Sequence, residues 1–263
     1  MAETYIPIGS RVRLISTAEP WRWLVAGWND LRANRMRSLL YSLPFVLFGY
    51  VSTAGLYLAG WHYLIWPALA GFFILAPAFA VGFYEASRRL ERGEAVTVMD
   101  MVMAWRRNPS RIFGAGLTLC FFMILWLRSA SLIYAINFPY QMLSLQGIMN
   151  QTFFSADGAS FFAVGTVIGA AFAVTAFLLT VVSLPMLLGE KADLLPAIFL
   201  SILAVSRNSR AMALWAAIIV VATAAGLATA FVGLILTMPL LGHASWHAYR
   251  SMIEPIPVNP SDG

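Results

Sequence analysis

The sequence predicts an all-α membrane protein: six transmembrane helices arranged as three repeated units, each an interfacial amphipathic helix followed by a transmembrane hairpin. Three observations predict it. Of 263 residues, 60% are hydrophobic and 11% charged, where a soluble domain carries about a quarter charged. Residues 38–84, 112–127, 129–156, 158–189 and 211–249 contain no Asp, Glu, Lys or Arg, and several of these runs exceed the roughly 20 residues that cross a bilayer once. Three times a short basic tag ending in Asn precedes such a run: Leu31-Arg32-Ala33-Asn34, Trp105-Arg106-Arg107-Asn108 and Val205-Ser206-Arg207-Asn208.

Residues 1–20 read as a cytoplasmic tail, because Arg11 and Arg13 are followed only by Leu14-Ile15 before polar residues and Pro20, too short an apolar stretch for a cleaved signal. Residues 21–252 then form one six-helix domain. In its first unit, about 21–92, Trp21, Leu24, Trp28 and Leu31 recur at helical spacing and suit a helix lying in the membrane interface. A hairpin follows, roughly 38–59 and 63–84, interrupted by the interface-type string Gly60-Trp61-His62-Tyr63. In the second unit, about 93–190, Val98, Val102 and Trp105 approximate an interfacial face. Its hairpin helices fall near 112–135 and 160–188, joined by a longer loop with Asn150, Gln151 and Asp157. The third unit, about 191–252, opens with the almost wholly apolar Leu194 to Val205, expected to pack against the bundle. As one helix, 211–249 would reach about 58 Å, nearly twice the roughly 30 Å hydrocarbon thickness. A turn near Gly226-Leu227-Ala228-Thr229 is therefore expected, giving helices at about 211–225 and 230–249. Residues 253–263, with three prolines, form a second cytoplasmic tail.

Under this topology 16 of the 17 Lys and Arg residues lie on one side, Arg128 being the exception. That asymmetry places both termini in the cytoplasm. The net charge of +5 finds its counter-charge in anionic lipid headgroups rather than in nucleic acid, for which no phosphate loop or basic-aromatic platform is visible. Aligning Pro77 with Pro239 brings Gly71 over Gly233, Tyr84 over Trp246 and Arg88 over Arg250, with Pro185 at the corresponding point of the middle hairpin. Each return helix thus carries a proline, which removes a backbone donor and kinks a helix in a way membrane neighbours tolerate.

Eight residues past these prolines stand Glu85, Asp193 and His247, and His243 shares a helical face with His247. If the units surround an axis, the four residues would form a metal site with mixed N/O ligands or a proton-accepting cluster. The simpler reading is that helix ends at an interface attract polar groups. Ala244-Ser245-Trp246 between the two histidines lacks the glutamate of zinc proteases, and His62 lies at the opposite face, which removes bis-histidine haem. No cofactor is expected, and the sole cysteine, Cys120, cannot form an internal disulfide. Met99, Met101 and Met103 alternate along a helix and share no face. Arg128 lies about 25 Å up a helix from Arg111, so it snorkels to the far interface or bonds within the bundle, meets another membrane subunit, or serves transport. Gly165 and Gly169, with Ala173, form a small-xxx-small seam for packing inside the monomer or on a partner.

The strings Tyr84-Glu85-Ala86-Ser87-Arg88-Arg89-Leu90-Glu91-Arg92-Gly93-Glu94, Trp105-Arg106-Arg107-Asn108-Pro109, Ser183-Leu184-Pro185-Met186-Leu187-Leu188 and Pro239-Leu240-Leu241-Gly242-His243-Ala244-Ser245-Trp246-His247-Ala248-Tyr249-Arg250 together resemble an uncharacterised family of bacterial integral membrane proteins. Some members are loosely described as cytochrome c oxidase subunits. The resemblance implies the inner membrane and an accessory or assembly role beside a respiratory cytochrome c oxidase, because the chain lacks the in-membrane histidines of a catalytic haem–copper subunit. The function expected is therefore a non-catalytic inner-membrane protein that packs on lipids and on a larger complex, with Arg128, Gly165 and Gly169 at the interface. The alternatives are a small transporter or channel at the polar cluster, or a metal-binding membrane protein.

Overall fold

Ten α-helices account for the described fold, a computed structural model that places residues 8–138, 147, 156–190 and 192–255. They are α1 (Glu19–Ala33), α2 (Arg35–Leu58), α3 (Ile65–Glu91), α4 (Val98–Val102), α5 (Pro109–Asn137), α6 (Ala156–Thr180), α7 (Ser183–Gly189), α8 (Leu194–Arg207), α9 (Ser209–Ala228) and α10 (Leu234–Met252). Among the described residues, five stretches are long and apolar enough to cross a membrane: α2, His62–Glu91, α5, Gly158–Gly189 and α9. The expected loop residues Asn150 and Gln151, together with Lys191, lie outside the described residues.

The three tag asparagines do the same local work. Asn34 and Asn208 each end one helix and begin the next, at φ −121°, ψ 32° and φ −116°, ψ 33°, and Asn108 stands between a 3₁₀ turn (Ala104–Arg107) and α5. Each carbonyl accepts the amide four residues on, from Ser38 at 3.0 Å, Ile112 at 3.0 Å and Met212 at 2.9 Å. The side chains of Asn108 and Asn208 then tie down neighbouring chain, whereas that of Asn34 bonds the Ser38 and Arg37 side chains. Asn108 Nδ2 donates to the carbonyls of Leu187 and Ala192, and Asn208 bonds both Arg13 O and Ile15 N. Asn is suited to such a junction because its short amide satisfies backbone groups that a helix break leaves open.

The prolines act differently from one another. Pro77 and Pro239 sit inside continuous helices. At Pro185 the helix instead breaks into α6 and α7 across Val181 and Val182, the residue four before proline being the one its ring crowds. The Val182 amide freed there donates to Ser201 Oγ of α8 at 3.2 Å.

The chain does fold back within 211–249, but the turn is Thr229–Gly233, so that α9 is longer than the sequence suggests and α10 begins and ends later. Thr229 Oγ1 donates to Gly226 O and accepts from Gly233 N, while Ala230 (φ 51°) and Phe231 (φ 69°) take the left-handed conformation. Gly226 is therefore not the bend. It stays helical because the returning backbone passes close by: a Cβ on Gly233 would stand 2.9 Å from Gly226 Cα.

The interfacial helices also pack more firmly than amphipathicity alone requires. α1 makes the most extensive contact of any helix pair, against α10. It buries Pro20, Trp23, Gly27 and Leu31, while Trp21 and Trp28 of the expected stripe are exposed. Gly27 sets this orientation, since a Cβ there would lie 2.6 Å from Ala244 N and 2.9 Å from Ala244 Cα. α4 is a single turn held by a capping box between Thr97 and Asp100; it buries Met101 and leaves Met99 and Val102 outside. α8 buries Ala197, Leu200, Ser201 and Ala204 against the bundle, as its apolar composition suggests. Deep in the opposite half, Trp126 joins three helices. Its indole nitrogen donates to Pro67 O at 2.7 Å, and its ring would meet a Cβ on Gly169 at 2.9 Å.

Gly27→Ala is expected to destabilise the protein by about 1–3 kcal/mol, because the colliding atoms are backbone and the helices must separate. Thermal unfolding in detergent reads this directly. Gly55→Ala is the control: a Cβ there meets nothing within 4 Å, and its better helix propensity is expected to stabilise by about 0.5–1 kcal/mol. A second prediction concerns Ala230, an exposed residue at positive φ. Ala230→Gly should raise stability by up to about 1 kcal/mol by relieving the left-handed strain.

Candidate functional site

Polar residues collect at the arginine-rich end of the bundle, where α1, α2, α3 and α10 meet. The second half of α10 is almost entirely buried, and buried polar groups in such a place must find partners. His243 finds two serines. Its Nε2 lies 3.0 Å from Ser38 Oγ of α2 and its Nδ1 lies 2.7 Å from Ser87 Oγ of α3. Ser87 donates to Asp30 Oδ2 of α1 at 2.6 Å, and the same oxygen lies 2.8 Å from His247 Nε2.

Donor logic orients this chain. Since the Ser87 hydroxyl donates to Asp30, its oxygen accepts from His243 Nδ1–H, which leaves Nε2 of a neutral ring to accept from Ser38. Ser38 in turn accepts from Asn34 Nδ2 at 3.4 Å. Every donation runs from Asn34 through Ser38, His243 and Ser87 to the carboxylate, and Asn34, Ser38, Ser87 and His243 are all buried. Burial pushes the Asp30 carboxyl up, but hydrogen bonds from His247 and Ser87 outweigh it and hold the group below its usual range.

A second cluster follows one turn along α3. Arg88 makes a two-pronged contact to Glu85, Nε to Oε2 at 2.8 Å and Nη2 to Oε1 at 2.6 Å, with both side chains only 4% exposed. Arg89 Nε adds a contact to Glu85 at 2.9 Å and Arg107 approaches it at 3.6 Å. Arg89 continues to Asp100 at 2.8 Å, whose carboxyl is held low first by the Thr97 hydroxyl. Beside it, Glu190 binds Arg11 at 2.6 Å and accepts from Tyr249 Oη at 2.7 Å, while Glu91 holds Arg250 and the Trp246 indole. These contacts fasten the N-terminal segment and the ends of α3, α7 and α10 together.

Of the four residues expected to converge, the structure brings only the two histidines into one neighbourhood. Glu85 is committed to arginines. Asp193 is 69% exposed and pairs with Arg111 at 2.8 Å. Among the described residues no group of three or more His, Cys, Asp or Glu side chains could hold a metal ion. The carboxylate that does join the histidines is Asp30, which sequence reasoning passed over. Its signal was present: Gly27, Asp30, Leu31 and Asn34 follow helical spacing on the face that packs inward, opposite the tryptophans that drew attention. Of the expected interface residues, Gly169 packs inside the chain under Trp126, whereas a Cβ at Gly165 meets nothing within 4 Å. Arg128 is exposed near the arginine-poor end of α5.

Two predictions separate these roles. Glu85→Ala should cost about 3–5 kcal/mol, because it strands the buried Arg88, whereas Asp193→Ala should stay within about 0.5 kcal/mol, its pair being largely in solvent; chemical or thermal unfolding distinguishes them. The depressed Asp30 carboxyl predicts an acid limb. Its contribution is complete above the ordinary carboxylate value of 3.8 and is lost as pH falls through the lower folded-state value. Asp30→Asn should flatten that limb in a stability profile measured from pH 7 downward.

No curated protein and no solved structure matches the chain. The helices that carry the Glu85–Arg88 cluster, from the start of α3 to the end of α7, are the part in which a known family is recognisable. Residues 65–189 match the family described as a predicted integral membrane protein (DUF2189), the membrane-protein family that the sequence strings resemble.

Proposed function

We propose that the chain is a non-catalytic accessory or assembly subunit that packs, within a bacterial inner membrane, against a larger membrane complex. In this reading the arginine-rich face and both termini are cytoplasmic. The observation that carries it is the closure of the polar site. Asp30, Glu85, Glu91, Glu190, His243 and His247 are all hydrogen-bonded or ion-paired to other parts of the same chain, which is the chemistry of a fastening. Towards the bundle interior the His243 chain ends against aromatic rings, with Phe83 5.6 Å from the imidazole and Tyr41 5.0 Å from Phe83. The cavity under Tyr84 and Ser245, about 90 Å³, is walled mainly by apolar side chains such as Phe73, Phe177, Met238 and Leu241.

What remains available to a partner is apolar. α5 turns Phe113, Leu117, Phe121 and Leu132 outward, and α6 adds Val164 and Val167, with the open notch at Gly165 between them. Lipid covers such a surface when no protein does, and small residues allow a partner helix to approach closely. The sequence resemblance makes a respiratory oxidase complex the first partner to seek.

Native purification from gently solubilised membranes, followed by mass spectrometry, is expected to recover the chain with other membrane proteins; recovery only as a free monomer would count against the proposal. Gly165→Trp should reduce that recovery with little change in melting temperature. Gly169→Trp should instead lower the melting temperature through collision with Trp126.

A further inference from the structure

At the arginine-poor end the bundle opens into mainly apolar cavities. In α2 only Ser38, Ser42 and Phe45 are buried; beyond Phe45 the helix lines a cavity of about 390 Å³ shared with α3, α5 and the α9–α10 turn. That volume lies within the roughly 300–1,000 Å³ typical of small-molecule sites. Its walls are apolar, Phe48, Phe72, Met123, Leu127 and Phe231 among them. Trp61 and Leu127 also line a second cavity, of about 340 Å³, into which Tyr63, Arg128 and Ser131 contribute. The two chambers thus share wall residues, and the second adds the Arg128 cation.

Arg128 is the one cation in the 38 uncharged-but-for-it residues from Ile112 to Met149. It has no ion pair or hydrogen-bond partner among the described residues. An unpaired guanidinium in a membrane segment is costly, and it forms its strongest contacts with the two oxygens of a phosphate or carboxylate. Trp61 and Tyr63 beside it are the residue types that settle at headgroup depth; Tyr63 is held there by stacking on Tyr134, with ring centres 4.8 Å apart.

We propose that these joined cavities hold one phospholipid of the adjacent leaflet, its phosphate on Arg128 and one acyl chain in the apolar chamber behind Trp61. The site needs both halves. A free phosphate would gain the guanidinium but not the chamber, and a chain without a charged head would leave Arg128 unpaired. This binding is independent of any protein partner, since it uses the α2–α3–α5 side of the bundle rather than the notch at Gly165.

The test is native mass spectrometry of the delipidated chain in mild detergent, titrated with phosphatidylglycerol, with diacylglycerol, and with inorganic phosphate. One phosphatidylglycerol should stay bound at energies that strip surface lipid, whereas diacylglycerol and phosphate should not. Arg128→Gln should weaken retention about tenfold, roughly 1.4 kcal/mol, and Arg128→Lys should restore part of it. Gly55→Phe should weaken it comparably by filling the chamber while leaving the charge in place. Equal retention by Arg128→Gln, or equal retention of diacylglycerol, overturns the headgroup contact. Undiminished binding by Gly55→Phe overturns the acyl-chain chamber, and failure of the parent chain to retain any phospholipid overturns the site.

Discussion

The structure depends on burying the polar half of α10 in a bundle whose surroundings are hydrocarbon. From Leu241 to Met252 this helix places His243, Ser245 and Trp246 in the interior, and an unsatisfied imidazole there would cost several kcal/mol. Ser38 of α2 and Ser87 of α3 satisfy the ring, and α1 anchors Ser87 in turn. α1 is too polar to cross the membrane, yet at Gly27 it comes close enough to touch the backbone of Ala244, and three residues later Asp30 reaches both His247 and Ser87. Close approach and polar satisfaction are therefore one arrangement. A side chain at position 27 would hold α1 off and leave the carboxylate short of its partners.

Much of this architecture is legible in the sequence because the bilayer imposes it. Uncharged runs mark the spans, and the three tags mark their entry, since each Asn closes a backbone break that any return through the membrane surface creates. The detail that decides the site is less visible. The inward face of α1 has one glycine, one carboxylate and one amide, a weaker pattern than its tryptophans, and only contact with α10 reveals which face is buried. Ser38 and Ser87 carry no motif at all. They matter because their hydroxyls stand on opposite sides of one imidazole. The turn at 229–233 is hidden for a related reason: a glycine marks a bend in sequence, but here Thr229 and two left-handed non-glycine residues make it, and Gly226 is kept for packing.

Tightness is distributed unevenly along the membrane normal. At the arginine-rich end, bonds from α1, α3, α7 and α10 cross-link the helices. At the other end α2 has no buried residue after Phe45. Pro44 lies at the boundary between the two regimes, where its ring removes one backbone donor from the helix. The cavities are thus a consequence of where the polar fastening stops.

Two groups of arginines differ in their place on the helices. Those on the return helices, Arg88, Arg89 and Arg250, sit in last turns, where the helix dipole favours a cation, and each is paired with a carboxylate. Arg35, Arg37 and Arg210 occupy the first turns of outgoing helices, where the dipole opposes them, and they are exposed without acidic partners among the described residues. Dipole and ion pairing account for the first class and argue against the second. An external negative surface is what reconciles the second class with its position, and a layer of anionic headgroups provides one. The paired arginines cross-link helix ends of the bundle, and those without an acidic partner among the described residues lie exposed on its surface.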